Sequence, residues 1–588
     1  MTSKTDKQFA TAILEVVNGS EKGPSVATRT ASGGIQTSQG TIYVSKPMRS
    51  SSKKLRAMVA FTPRKSHFDL ANERSGANEF RGFFTLFWIS MFLMAVRTYV
   101  RSIETNGYAL NFGFATMFSE DAITLALSDA VLVASTLICV PFAQAVANGW
   151  IQYYWTGLIL QHIWQTSVLF LAITWTFDRH WPWVQSGFLT LHTLVMLMKM
   201  HSYMNINGYL QYARQQAQEL KVQLRKATEA VGGWDKAIAT AKARRKELDQ
   251  LPCRASDVTD GASTPSEYSS TSSSSVPAHV DATLRKRANA ATGESPGPID
   301  GVHPTGIVTT GNRVLQPDEI FKPGPHLLVD HPDERIASLA REFSDIDSDL
   351  VSTGPHYIRW PDNITYMNFL DYLLIPTLVY ELEYPRTDRI RPMYVFEKTI
   401  ATFGTFALLY TVTESFILPL VPTREQSFLR SLLDLSIPFM IAYLLLFYLI
   451  FECICNGFAE LSRFADRQFY EDWWNATSWD EFSRKWNKPV HTFLLRHVYA
   501  SSMSSYKLSK QSAMFFTFLL SAAVHELVMA IVTKKIRMYL FTLQLIQIPL
   551  IAIGRIPIIK RNKLLGNTVF WIGLYAGFPL LCVAYCAY

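Results

Sequence analysis

Nine apolar runs, each close to the length of a bilayer crossing, divide this chain. They fall at about 80–101, 121–147, 156–177, 182–200, 393–420, 432–456, 512–533, 536–555 and 567–588. A helix needs ~20 mostly apolar residues to traverse the hydrocarbon core. The pattern therefore predicts an all-α polytopic membrane protein with about nine transmembrane helices. Basic residues flank these runs at Lys53-Lys54, Arg64-Lys65, Lys534-Lys535 and Lys560-Arg561. They sit on connections of both parities, so charge alone leaves the orientation open.

Only 18% of the 588 residues are charged, against roughly 25% in an ordinary soluble domain. The charge is segregated, and it marks four regions. Residues 1–78 are polar and without a sustained period, so a disordered tail is expected there. Residues 79–210 carry the first part of the membrane core, 211–356 form a polar insertion, and 357–588 carry the second part. Within the insertion, Gln215–Gln250 is rich in Lys, Arg, Glu and Ala and reads as a helix with a solvated face, broken at Gly232-Gly233. The Ser/Pro-rich stretch after it cannot bury a core and is expected to be disordered. No apolar leader follows Met1, so insertion is expected to begin at the first spanning helix.

The net charge of +8 has two explanations better than nucleic acid: a cytosolic membrane surface and an anionic substrate. The basic stretch has no reading helix to support a nucleic-acid partner. The six cysteines do not suggest a disulfide framework. Cys453-Ile-Cys455 is too tight for a C-x₂-C zinc half-site, and no metal is expected.

Three places could carry chemistry. His525 and Glu526 lie near the middle of the 512–533 run. An ionisable group at that depth is costly unless it faces a polar cavity or a partner. The pattern fits a catalytic base or an interhelical hydrogen bond. The second place is the loop after the 432–456 run, with Phe469-Tyr470-Glu-Asp472-Trp473-Trp474-Asn475, then Glu481, Arg484, Asn487, His491 and Tyr499, ending near Lys510. Trp and Arg in such density describe an interfacial belt or a pocket in which rings stack on a base and cations pair with phosphates. The third comprises His201 and the charged turn Glu381–Arg391, which read as architectural.

There is no G-x-S-x-G elbow, phosphate-binding loop, H-E-x-x-H pair or histidine with an aspartate five residues on.

The F-Y-x-D-W-W-N motif at Phe469–Asn475, the later Trp-Asn pair and the intramembrane histidine resemble the membrane-bound O-acyltransferase family, in its sterol and diacylglycerol branch. Asn487 and His525 stand 38 residues apart, consistent with that branch's asparagine–histidine pair. The run Asn487–Lys510, Lys199-Met-His-Ser-Tyr, Tyr384-Pro-Arg-Thr and the Ser-rich insertion are similar to fungal sterol acyltransferases in particular. The resemblance covers about 64–210 and 357–588.

It implies a helical fold enclosing a reaction chamber in the endoplasmic reticulum membrane, assembled as a homodimer or homotetramer. Acyl-CoA is the co-substrate, a sterol of ergosterol or cholesterol type is the acceptor, and no other cofactor is implied. His525 is then the base and Asn487 its partner. Glu481, Arg484, Asn487, His491, Tyr499, Lys510 and Ser521 stand where the family contacts CoA. Glu481 is a departure, since a carboxylate repels phosphate. A thioester is already activated, so one base near neutral pKa suffices; partial burial is expected to keep His525 neutral. Diacylglycerol is the alternative acceptor. A transporter using His525 and Glu526 as a proton relay is the alternative outside catalysis.

Overall fold

The computed structural model describes residues 35–37, 40–44, 57–59, 61–69, 81–110, 115–116, 119–250, 325–352, 354, 356–423, 425–557, 559 and 562–586. The chain divides into two compact units, one made by Met1–Ile206 with Ile364–Tyr588, the other by Asn207–Asn363.

Seven helices of the first unit are long and apolar enough to cross a membrane: Gly82–Asn106, Ala122–Ala147, Tyr153–Asp178, Pro392–Leu420, Phe428–Leu461, Lys510–Thr533 and Lys563–Cys586. Two of the nine expected spans differ. The 182–200 run opens a 47-residue helix, Trp183–Glu229. Its Gln185, Ser186, Thr190, Thr193 and Lys199 are buried inside the protein, so this helix is polar on its inner face. The 536–555 run forms Tyr539–Gly554, 16 residues. At 1.5 Å per residue that is about 24 Å, short of the ~30 Å hydrocarbon core. Helices dominate, with one small addition: Ile35–Thr37, Gly40–Val44 and Ala57–Val59 pair as an antiparallel sheet in that order.

The spanning helices turn large apolar side chains outward, for example Phe83, Phe92 and Phe403, as lipid contact requires. Inside, charge is paired. Lys398 and Glu452, from two different spans, meet at 2.8 Å with both side chains almost fully buried. Breaking such a pair leaves a charge stranded at several kcal/mol cost.

Within the stretch 1–78, where a disordered tail is expected, residues 61–69 are tied to distant parts of the chain. Arg64 pairs with Asp466, Ser66 donates to Glu452, and Asp69 pairs with Arg391. Sequence periodicity could not find this segment, because its partners lie more than 300 residues away.

The second unit has its own apolar core of Leu224, Ala237, Ala241, Leu328, Ile336 and Ala340. Its helix break falls at Gly232 and Gly233, both with φ near +100°, a backbone region glycine enters freely. Asp333 caps the Glu334–Asp349 helix, and the indole of Trp360 donates to Asn207 at 3.0 Å. The Ser/Pro-rich part of the insertion lies outside the described residues.

Candidate active site

The helix carrying His525 starts at a Ser509 cap, whose hydroxyl accepts from the Ser512 amide at 3.1 Å. Four residues before His525, the Ser521 carbonyl lies 2.7 Å from the imidazole Nδ1, and the Ser521 hydroxyl lies 3.5 Å away. A carbonyl only accepts, so Nδ1 carries the proton and donates it. That fixes the tautomer: the Nε2 lone pair is left to accept a proton. Nε2 makes no hydrogen bond among the described residues. The ring is exposed, which corrects the expectation of partial burial.

Glu526 points elsewhere. Its buried carboxylate accepts from the backbone amides of Arg537, Met538 and Phe541 at 3.3, 2.7 and 3.1 Å, and from the Tyr585 hydroxyl at 2.9 Å. The Tyr539–Gly554 helix has no side-chain cap of its own, and Glu526 supplies one from a neighbouring helix. A carboxylate there also complements the positive end of the helix dipole. Adjacent in sequence, the two side chains have different partners.

Asn487 begins the short Lys488–Phe493 helix. Its side-chain oxygen accepts from the Val490 amide at 3.2 Å. The oxygen is thereby occupied, and the Nδ2 group remains to donate. The F-Y-x-D-W-W-N turn brackets this residue. The Glu471 amide donates to the Lys485 carbonyl at 2.9 Å, and the Lys488 amide donates to the Phe469 carbonyl at 3.0 Å. One bond lies on each side of Asn487.

Aromatic packing holds the turn. Trp473 is 1% exposed and meets Trp486 and Phe447 edge-on, with centroids 5.1 and 5.2 Å apart. Trp486 in turn stacks on Tyr443 at 4.8 Å. Tyr470 donates to Glu452 at 3.0 Å. The Trp474 carbonyl accepts from Asn567 and from the Trp571 indole. Asp472 pairs with Lys485, and the exposed Asn475 donates to Asp472 at 3.4 Å. The Lys563–Cys586 helix approaches this loop closely: a Cβ on Gly566 would lie 2.6 Å from the Thr477 carbonyl.

The remaining sequence-predicted residues are dispersed along the loop and the His525 helix. Glu481 is committed: one oxygen takes the Thr477 amide and hydroxyl, the other the Lys485 ammonium at 2.8 Å. Ser478 caps the helix by accepting from the Glu481 amide, and the Glu481 carboxylate reaches back to the residue before that cap. Arg484 pairs with Asp480 at 3.1 Å, and Lys488 with Glu471 at 2.5 Å. His491 is half-buried, and removal from water pushes its imidazole down to about 4, helped by Arg484 and Lys488 nearby. Tyr499 lies in the Leu494–Ala500 turn, which packs beside the Lys510–Thr533 helix. Lys510 is exposed, at the first residue of that helix. No hydrogen bond joins Asn487 to His525 among the described residues. Nor is there a group of three or more His, Cys, Asp or Glu suited to a metal among them.

Lys199-Met-His-Ser-Tyr is architectural throughout. Lys199 donates to the carbonyls of Tyr372, Leu373 and Ile375, collecting groups left open at a helix C-terminus. His201 accepts from Gln161 at 3.0 Å, Ser202 bonds His497 at 2.8 Å, and Tyr203 packs on Phe369 and Tyr380. Sequence reasoning missed the ion pairs of Lys398 with Glu452, and of Glu460 with Arg391 and Arg467. The available signal was Lys398 and Glu452, each a charge inside an apolar run.

Residues 335–587 match the membrane-bound O-acyltransferase family. The chain is 32% identical over 535 residues to a probable sterol O-acyltransferase 1 of Schizosaccharomyces pombe, covering 89% of this chain and 85% of the relative. It is 33% identical over 525 residues to a sterol O-acyltransferase 2 of Candida albicans, covering 86% and 75%. A diacylglycerol O-acyltransferase 1 of Dictyostelium discoideum is 34% identical over 234 residues, 38% of this chain and 37% of the relative. With its intramembrane His525, its braced Asn487 and a likeness spanning most of its length, this chain belongs to the membrane-bound O-acyltransferase family.

Proposed function

We propose that this enzyme moves a long-chain fatty acyl group from acyl-CoA to the 3-hydroxyl of a sterol, giving a steryl ester and free CoA. The observation that carries the acceptor is coverage. Likeness to the sterol enzymes runs over 89% and 86% of the chain, that to the diacylglycerol enzyme over 38%.

In this reading Nε2 of His525 takes the sterol hydroxyl proton as the oxygen attacks the thioester carbonyl. Nδ1 stays bonded to the Ser521 carbonyl, which holds the ring in the accepting tautomer. Asn487, with its oxygen occupied by Val490, offers Nδ2 to the oxyanion that develops. Collapse expels the CoA thiolate, and His525 returns the proton to sulfur. No acyl-enzyme is required. Arg484, His491, Tyr499, Lys510 and Ser521 are proposed to hold the CoA portion. Glu481 is better assigned to the loop than to CoA. We place the enzyme in the endoplasmic reticulum membrane as a homodimer or homotetramer.

The test gives purified enzyme labelled oleoyl-CoA with ergosterol, cholesterol or diacylglycerol in the same nanodisc. Sterol should be favoured in kcat/KM by about tenfold or more, a difference of about 1.4 kcal/mol. Label chiefly in triacylglycerol would overturn the acceptor while leaving acyl transfer standing.

A further inference from the structure

The F-Y-x-D-W-W-N turn brackets Asn487, and residues 61–69 brace that turn from the other side. Arg64 forms a fork with Asp466, its Nε at 2.8 Å and its Nη2 at 2.7 Å. Their backbones interlock as well: the Arg64 amide donates to the Ala465 carbonyl at 3.0 Å, and the Arg467 amide donates to the Arg64 carbonyl at 2.9 Å. This fixes the chain three residues before the turn begins. Ser66, 1% exposed, donates at 2.5 Å to the same Glu452 oxygen that receives the Tyr470 hydroxyl. Asp69 closes the segment on Arg391 at 3.0 Å.

Apolar contacts follow the same direction. Phe61 packs into the cluster of Leu378, Val379 and Phe493, and Phe493 ends the helix that Asn487 caps. His67 and Phe68 lie against Tyr470 and Trp474. These nine residues therefore contact the turn, the segment before it and the helix after Asn487.

We propose that residues 61–69 form a strap that positions Asn487 by bracing the Phe469–Asn475 turn, with Ser66 and Arg64 as positioning residues. None of them need touch substrate. Reacting groups must be held to within fractions of an ångström, and a displacement of about 1 Å can cost as much as 100-fold in rate. A strap loosened at one anchor should therefore reduce turnover while leaving substrate binding nearly intact. The inference rests on Asn487 being part of the reaction machinery, as proposed above.

The experiment uses full-length enzyme in nanodiscs with labelled oleoyl-CoA and ergosterol. Ser66→Ala leaves Tyr470 on the Glu452 oxygen, and Arg64→Gln removes the part-buried fork. Each is expected to lower kcat roughly tenfold, with KM for oleoyl-CoA within about twofold of the parent. Full kcat in both variants, or a raised KM at unchanged kcat, would overturn the strap. Asn487→Ala, measured alongside, separates the two readings. A fully active Asn487→Ala removes the basis of the proposal, whereas an inactive one beside fully active Ser66→Ala and Arg64→Gln sinks the strap alone. Should Ser66→Ala fail to assemble, Arg64→Gln decides the question by itself.

Discussion

The loop around Asn487 and the helix around His525 are held in opposite ways. Asn487 is bracketed by two backbone hydrogen bonds, capped onto Val490 and backed by Trp473, Trp486 and Tyr443. His525 is exposed, and one bond to its own helix orients it. The loop around the first residue is held by tertiary contacts, the side chain of the second by a bond within its own helix. A group that accepts and returns a proton needs access to both substrates, so an open setting suits it. A group that donates to a developing oxyanion gains from rigidity, because preorganised dipoles need no reorganisation during the reaction.

This contrast can be broken at each end. The largest effect is expected at His525. His525→Ala should lower kcat by ~10²–10⁴ with little change in thermal stability, since the residue is exposed. Near-normal turnover in the purified variant would remove His525 from the mechanism. Trp473→Ala should behave in the reverse manner, costing about 3–5 kcal/mol of stability and lowering the yield of folded protein. Unchanged melting of that variant would mean that the aromatic knot is not what holds the loop.

The smallest effect concerns His491, held down to about 4 in the folded loop against ~6.5 when unfolded. Between those values the unfolded chain binds more protons, so stability falls as pH drops from about 6.5 towards 4. His491→Gln should flatten that part of the melting-temperature profile. An identical slope in parent and variant would show that His491 is not the titrating group.

Much of the membrane core could be read from the sequence, because lipid demands apolar length and little else of a helix surface. Two runs misled for physical reasons. The 182–200 run is apolar enough to suggest a span, yet its polar residues point into the protein. The 536–555 run was long enough only if its ends were helical, and the chain enters that helix through Met538 in a left-handed turn. Within the candidate site, His525 was legible as an ionisable residue in an apolar run. Its tautomer was not, since that depends on a carbonyl one turn away. Glu481 was recognised as an awkward phosphate ligand, and its carboxylate is committed to Thr477 and Lys485. The strap was illegible for a different reason. Residues 61–69 have no periodicity and no hydrophobic run; their order comes from pairings with Glu452, Asp466 and Arg391, at separations no local pattern can express.

The commitment of Glu526 has a consequence for its neighbour. Consecutive residues on a helix differ in bearing by about 100°, so a helix fixed at one azimuth is fixed at all of them. The three amides and the phenol that converge on Glu526 act as a compass lock on the Lys510–Thr533 helix. Any rotation that would swing the imidazole away must first tear the carboxylate from the start of the next helix. His525 therefore gets its heading from a residue that never faces the reaction.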